Sequence, residues 1–77
     1  MLAKKGMIME LENNGKYLVD EVHNIKGVDF VVLFSLERNT FHIAQEIIKN
    51  NKPTYNFLDN ENSLKIATLI DNIQNKD

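Results

Sequence analysis

A chain of 77 residues with net charge −2, 26% charged residues and no cysteine has room for one domain with one small core, and it excludes disulfides and thiolate metal sites together. The two signs are interspersed, giving neither a basic stripe for a phosphate backbone nor a dense acidic face that would mimic one. No stretch approaches the roughly 20 apolar residues that span a bilayer. The expectation is a single cytoplasmic domain over residues 1–77 with no membrane partner, and the charge pattern disfavours nucleic acid. Domains this small are often assisted by disulfides, metals or self-association, and without cysteine self-association is the help most open to this one.

Residues 1–6 carry two lysines but lead into no apolar run of signal-peptide length, and they read as a flexible lead-in. Met7-Ile-Met-Glu-Leu-Glu12 alternates, with Met7, Met9 and Leu11 on one side and Glu10 and Glu12 on the other; that is a strand. It ends at Asn13-Asn-Gly15. A two-residue loop there would set Met9 opposite Asp20, whereas a three-residue loop with Gly15 left-handed sets Leu11 opposite Tyr17 and Met9 opposite Val19. Pairing like with like favours the second. The next strand, Lys16 to His23, keeps Tyr17 and Val19 on the core side and then slips its apolar phase by one residue at Asp20-Glu21-Val22. An extra residue of that kind is what a bulge supplies. Asn24-Ile-Lys-Gly27 turns the chain, with Gly27 suited to a positive φ.

Asp29-Phe-Val-Val-Leu-Phe-Ser-Leu36, with Val28 before it, is apolar on both sides: Val28, Phe30, Val32, Phe34 and Leu36 fill one, and Val31 and Leu33 sit in the middle of the other, between Asp29 and Ser35. A half-buried strand would alternate instead. Phe41 to Ile48 fits two periods, since Phe41, Ala44, Ile47 and Ile48 share a helical face and Phe41, Ile43 and Ile47 a strand face. The short polar turns on each side and the β-branched residues favour the strand. Lys49-Asn-Asn-Lys-Pro53 makes a turn and Thr54 to Leu58 a short fifth strand. Asp59 or Asn60 then caps a helix over residues 60–74, with Glu61 in its first turn. Ile66, Leu69, Ile70 and Ile73 form its core stripe, Leu64 lies nearly opposite, and the helix is expected to fray near Asn75.

These elements predict an α+β fold: a four- or five-stranded antiparallel β-meander over residues 7–58, with one C-terminal α-helix packed on one face. The stripe is expected on Phe30, Val32 and Phe34, which uses the only helix. Val31 and Leu33, with Ala44 and Ile48 beside them and Leu18 or Ile8 as further candidates, are then left on the second face. Four readings compete for it: the sheet curls and buries them, a second copy covers them, another protein does, or a few exposed aliphatics need no cover. If the sheet stays open, Val31, Leu33, Ala44 and Ile48 are the candidate protein-interaction surface, for a homodimer or for an unidentified partner protein.

Leu-Glu-Asn-Asn-Gly-Lys-Tyr-Leu-Val at 11 to 19, the apolar strand at 28 to 36, and Tyr55-Asn-Phe-Leu-Asp-Asn-Glu61 leading into a terminal helix together resemble small uncharacterised β-meander-plus-helix proteins of Gram-positive bacteria and their phages. The resemblance spans roughly residues 8 to 73 and is one of pattern. It implies the same fold and a phage or mobile-element origin, and it brings no chemistry to any residue.

Composition and spacing point away from catalysis. His23 and His42 stand near carboxylates, but a metal site wants three or four converging ligands, and no such spacing is present. Ser35 and Ser63 lack a glycine-rich elbow, and Gly6, Gly15 and Gly27 are too scattered for a phosphate loop. Glu10 and Glu12 share a strand face, yet acid–base work needs a pocket that drives their pKa values apart. Tyr17, Tyr55 and Phe57 lack the flanking cations of a base-stacking platform and read as packing. No catalytic, cofactor-binding or metal residue is therefore expected. The expected function is a non-enzymatic module that binds a cellular protein, and the alternative is a dimeric nucleic-acid-associated regulator.

Overall fold

In the computed structural model, which describes residues 1–74, the apolar alternations become β1 (Ile8–Glu10), β2 (Lys16–Ile25), β3 (Val28–Ser35), β4 (Phe41–Lys49) and β5 (Lys52–Phe57), followed by α1 (Asn60–Gln74). The strands form one antiparallel sheet in the order β1-β2-β3-β4-β5. It is the predicted α+β meander, with all five strands. Two hairpins turn on pairs with positive φ, Lys26 (52°) with Gly27 (84°) and Asn50 (52°) with Asn51 (64°). That is type I′ geometry, whose twist matches the flanking strands.

The bulge falls where the apolar phase slips: Val19 pairs with Leu33, Glu21 pairs with Val32, and Asp20 is the extra residue. The first hairpin departs from expectation. Met9 stands opposite Tyr17, the Leu11 N–H donates to the Gly15 carbonyl (3.0 Å), and the left-handed residue is Asn14, at φ 63°. The loop is three residues long but one place earlier than predicted. Gly15 is needed there for space: a Cβ would meet the Tyr17 ring at 2.8 Å and the Asn13 amide oxygen at 2.9 Å. That Asn13 oxygen accepts the Gly15 N–H, and its amide nitrogen donates to the Tyr17 hydroxyl.

α1 begins at the Asp59 cap, whose carboxylate accepts the Asn62 N–H at 2.8 Å, and it packs chiefly on β4. Its stripe is used only in part. Ile70 is buried and Ile66 half-buried, while Leu69 and Ile73 stay exposed. The fraying expected near Asn75 lies outside the described residues.

The register sorts the strands into two faces. Phe30, Val32, Phe34 and Ile43 lie on the α1 side, and Tyr17, Val19, Val31, Leu33 and Ala44 on the other. The deepest packing is on that second side, where Val19, Val31, Leu33 and Ala44 are all at 0% exposure. The sheet curls far enough for the Tyr17 ring on β2 to meet Phe57 on β5 edge-on, centroids 5.5 Å apart, although β3 and β4 lie between them in the sheet. Two expectations are corrected here. Val31, Leu33 and Ala44 cannot present a surface, because curling buries them within one chain, and only Ile48 of that set is exposed, at 43%. Residues 1–6 are also no free lead-in: Ala3 is buried in this core, and the Glu46 carboxylate accepts the N–H groups of Leu2 (3.0 Å) and Ala3 (2.9 Å).

Candidate functional site

The polar groups that could carry chemistry are spent on structure on both faces of the sheet. Buried Glu46 accepts the Leu2 and Ala3 N–H groups and, at 2.8 Å, the Tyr55 hydroxyl. Burial first, then the hydrogen bond to Glu46 and its charge, push the Tyr55 hydroxyl well above its ordinary pKa. Ser35 Oγ accepts the Arg38 N–H to close the β3–β4 turn, and Ser63 Oγ donates to the Leu58 carbonyl. His23 pairs with Glu21 (3.0 Å), and His42 meets Thr40 Oγ1 (2.8 Å) and stacks on Phe57. Among the described residues no group of side chains is arranged to hold a metal ion, and no helix is long and apolar enough to cross a membrane.

The outer face of the sheet carries what the second face was expected to carry. Ile8 stands opposite Leu18, Leu18 opposite Phe34, and Phe34 opposite Phe41, so four large apolar side chains make one row across four strands. The Phe34 and Phe41 rings touch, with centroids 4.9 Å apart. α1 leaves the ends of the row open: Leu18 and Phe34 are half-buried, while Ile8 and Phe41 each remain 63% exposed and Leu64 on the helix 70%. Between α1 and the sheet a groove of about 570 Å³ continues from the row, with Val32 and Ile43 among its lining and Phe41 and Leu64 at its sides. Sequence reasoning named Ile8 and Leu18 only as leftovers and took Phe34 for core. The signal is a cross-strand alignment, visible only once all three registers are known.

A second opening lies between the two edges of the sheet. β1 and β5 face one another across a cleft of about 770 Å³, lined by consecutive residues Met9 to Asn13 on one side and Pro53 to Phe57 on the other, with Leu2 and Met7 also at its wall. Successive side chains of a strand point to opposite faces, so a cleft touched by all of them runs along the strand edges. The ladder shows which backbone groups face it. β1 bonds to β2 through Met7 and Leu11, and Leu58 bonds to Ile43 just beyond β5. By the alternation of an antiparallel ladder, Ile8 and Glu10 on β1, and Pro53, Tyr55 and Phe57 on β5, turn their backbone outward. Pro53 thus sits where its missing N–H costs no ladder bond. Glu10 and Glu12 stand at the rim, and neither is in an ion pair among the described residues.

Comparison with protein-family models, curated proteins and solved structures returns no match.

Proposed function

We propose that this protein is a small non-enzymatic interaction module that binds a cellular protein through the apolar row Ile8–Leu18–Phe34–Phe41. The observation that carries this reading is the exposure of Ile8, Phe41 and Leu64 around a row whose ends the helix leaves open. Soluble monomers keep contiguous apolar patches small, and burying such a patch stabilises association by about 25 cal/mol per Å² before entropic costs. Aromatic side chains at the centre of a patch, ringed by polar groups, are the usual anchors of an interface. A phage or mobile-element origin, implied by the sequence resemblance, accords with a chain this short acting on a host protein by contact alone.

The test is affinity capture from the source cells with the tagged wild type and with Phe41→Asp, followed by mass spectrometry. A specific protein retained by the wild type and lost with the variant supports the reading. Capture that is indifferent to Phe41→Asp sinks it. Binding of the wild type to generic DNA that falls steeply with added salt would favour the nucleic-acid regulator instead.

A further inference from the structure

We propose that the cleft between β1 and β5 is a second site, which shares with the apolar row only Ile8 (its backbone here, its side chain there) and which takes an extended segment of a partner protein as a sixth strand. In a five-stranded meander the first and last strands run in the same direction. One strand running the opposite way is therefore antiparallel to both, and it turns the curled sheet into a closed six-stranded up-and-down barrel. The hydrogen-bonding groups are in place on both sides, from Ile8 and Glu10 on β1 and from Tyr55 and Phe57 on β5. Main-chain bonds of this kind give strand addition its affinity, and alternate side chains give it specificity.

The cleft also sets the chemistry of the occupant. Met9, Tyr55 and Phe57 share the inner face with the core, so every second residue of the added strand meets apolar groups. Met9 is the side chain best able to reshape around them. Toward the outside the strand passes Glu10 and Glu12, two carboxylates without ion pairs among the described residues, which call for lysine or arginine at the alternate positions. Pro53 ends the donor row on β5, and β1 is short, so the bonded segment is on the order of five residues at 3.3 Å each. An acidic rim disfavours nucleic acid and fatty-acid carboxylates.

The experiment is selection of short extended peptides from a randomised library against the full folded chain, followed by amide hydrogen exchange with the synthesised winners. The expected result is enrichment of alternating apolar and basic residues, with exchange at Glu10, Tyr55 and Phe57 slowed by tenfold or more. Glu10→Pro removes one outward N–H and leaves the β1–β2 bonds intact, and it should weaken binding about tenfold, the equivalent of one lost hydrogen bond. Glu10→Lys serves as a second variant that keeps the backbone donor, and it should discriminate against basic winners while its circular dichroism stays that of the parent. A library that enriches nothing, winners that leave these amides unprotected, or winners with acidic residues in the alternate positions would overturn the proposal. So would peptides that lose affinity on Phe41→Asp and keep it on Glu10→Pro, since they belong to the apolar row.

Discussion

A methyl group at Gly15 would come within 2.8 Å of the Tyr17 ring, and that ring cannot retreat because Phe57 and His42 pack edge-on against it at 5.5 and 6.0 Å. Gly15→Ala should cost about 1–3 kcal/mol, the range for overpacking, and urea denaturation measures it. Gly27→Ala costs about 1–2 kcal/mol for a different reason, its φ of 84° with open space around it. Pairing each with Tyr17→Leu separates the causes: the combination with Gly15→Ala should be less than additive and the one with Gly27→Ala additive. Tyr55 offers a pH test at the same scale. Its hydroxyl is held above the ordinary value of 10.0 in the folded chain, so the unfolded chain loses that proton first as pH rises. Stability attached to this group is full below the ordinary value and falls as pH climbs from there toward the folded value. Urea midpoints of the wild type should fall on raising pH above 10.0, and Tyr55→Phe should remove part of that slope. An equal slope in both proteins would mean that Tyr55 does not carry it.

At the scale of elements, the helix was legible almost entirely in the sequence. Its cap, its acidic first turn and the 3-4-7 spacing of Ile66, Leu69, Ile70 and Ile73 are local signals, and α1 (Asn60–Gln74) follows them, although only Ile70 of that stripe is fully buried and Leu69 and Ile73 are left exposed. Ile70→Asp puts an unpaired charge into a buried site and should unfold the chain, while Leu64→Asp, at a position 70% exposed, should change stability by less than about 0.5 kcal/mol. Equal shifts in melting temperature would overturn the helix face. Asp59→Ala removes the cap and should cost about 1 kcal/mol. The bulge at Asp20 was legible too, because a phase slip in a strand has few other outcomes. The register of the first hairpin was not, because Gly15 looks like a residue chosen for its φ, whereas the structure uses it to make room for a ring two residues away. A turn residue selected by a side-chain contact has the same letter as one selected by a dihedral angle.

On the scale of the whole molecule the open question in the sequence was cover for a strand apolar on both faces, and here pattern alone runs out. Phe30, Val32 and Phe34 make the fuller apolar side and Val31 and Leu33 the shorter one, so the local pattern points, if anywhere, to the wrong set for the closed core. Curvature decides it: strands on the inside of a curl see one another across it, as Tyr17 sees Phe57, and a short N-terminal segment then suffices to finish the packing around Ala3. The outside of the same curl is divergent, and one 15-residue helix is too narrow to cover it, which is why the ends of the apolar row stay exposed there. This assignment separates two substitutions that composition treats alike. Leu33→Ala should cost about 2–5 kcal/mol, a large share of the roughly 4–12 kcal/mol that 0.05–0.15 kcal/mol per residue gives a chain of this length. Leu33→Lys, alone or with Val31→Thr, should abolish the cooperative unfolding transition. Phe41→Lys, on the row, should leave the melting temperature within a few degrees of the parent. Circular dichroism melts together with sedimentation at several concentrations read both. A Leu33→Lys protein that stays folded and merely turns from dimer to monomer would mean that the inner face meets another chain, and that the curl seen here is not the molecule's own way of covering it.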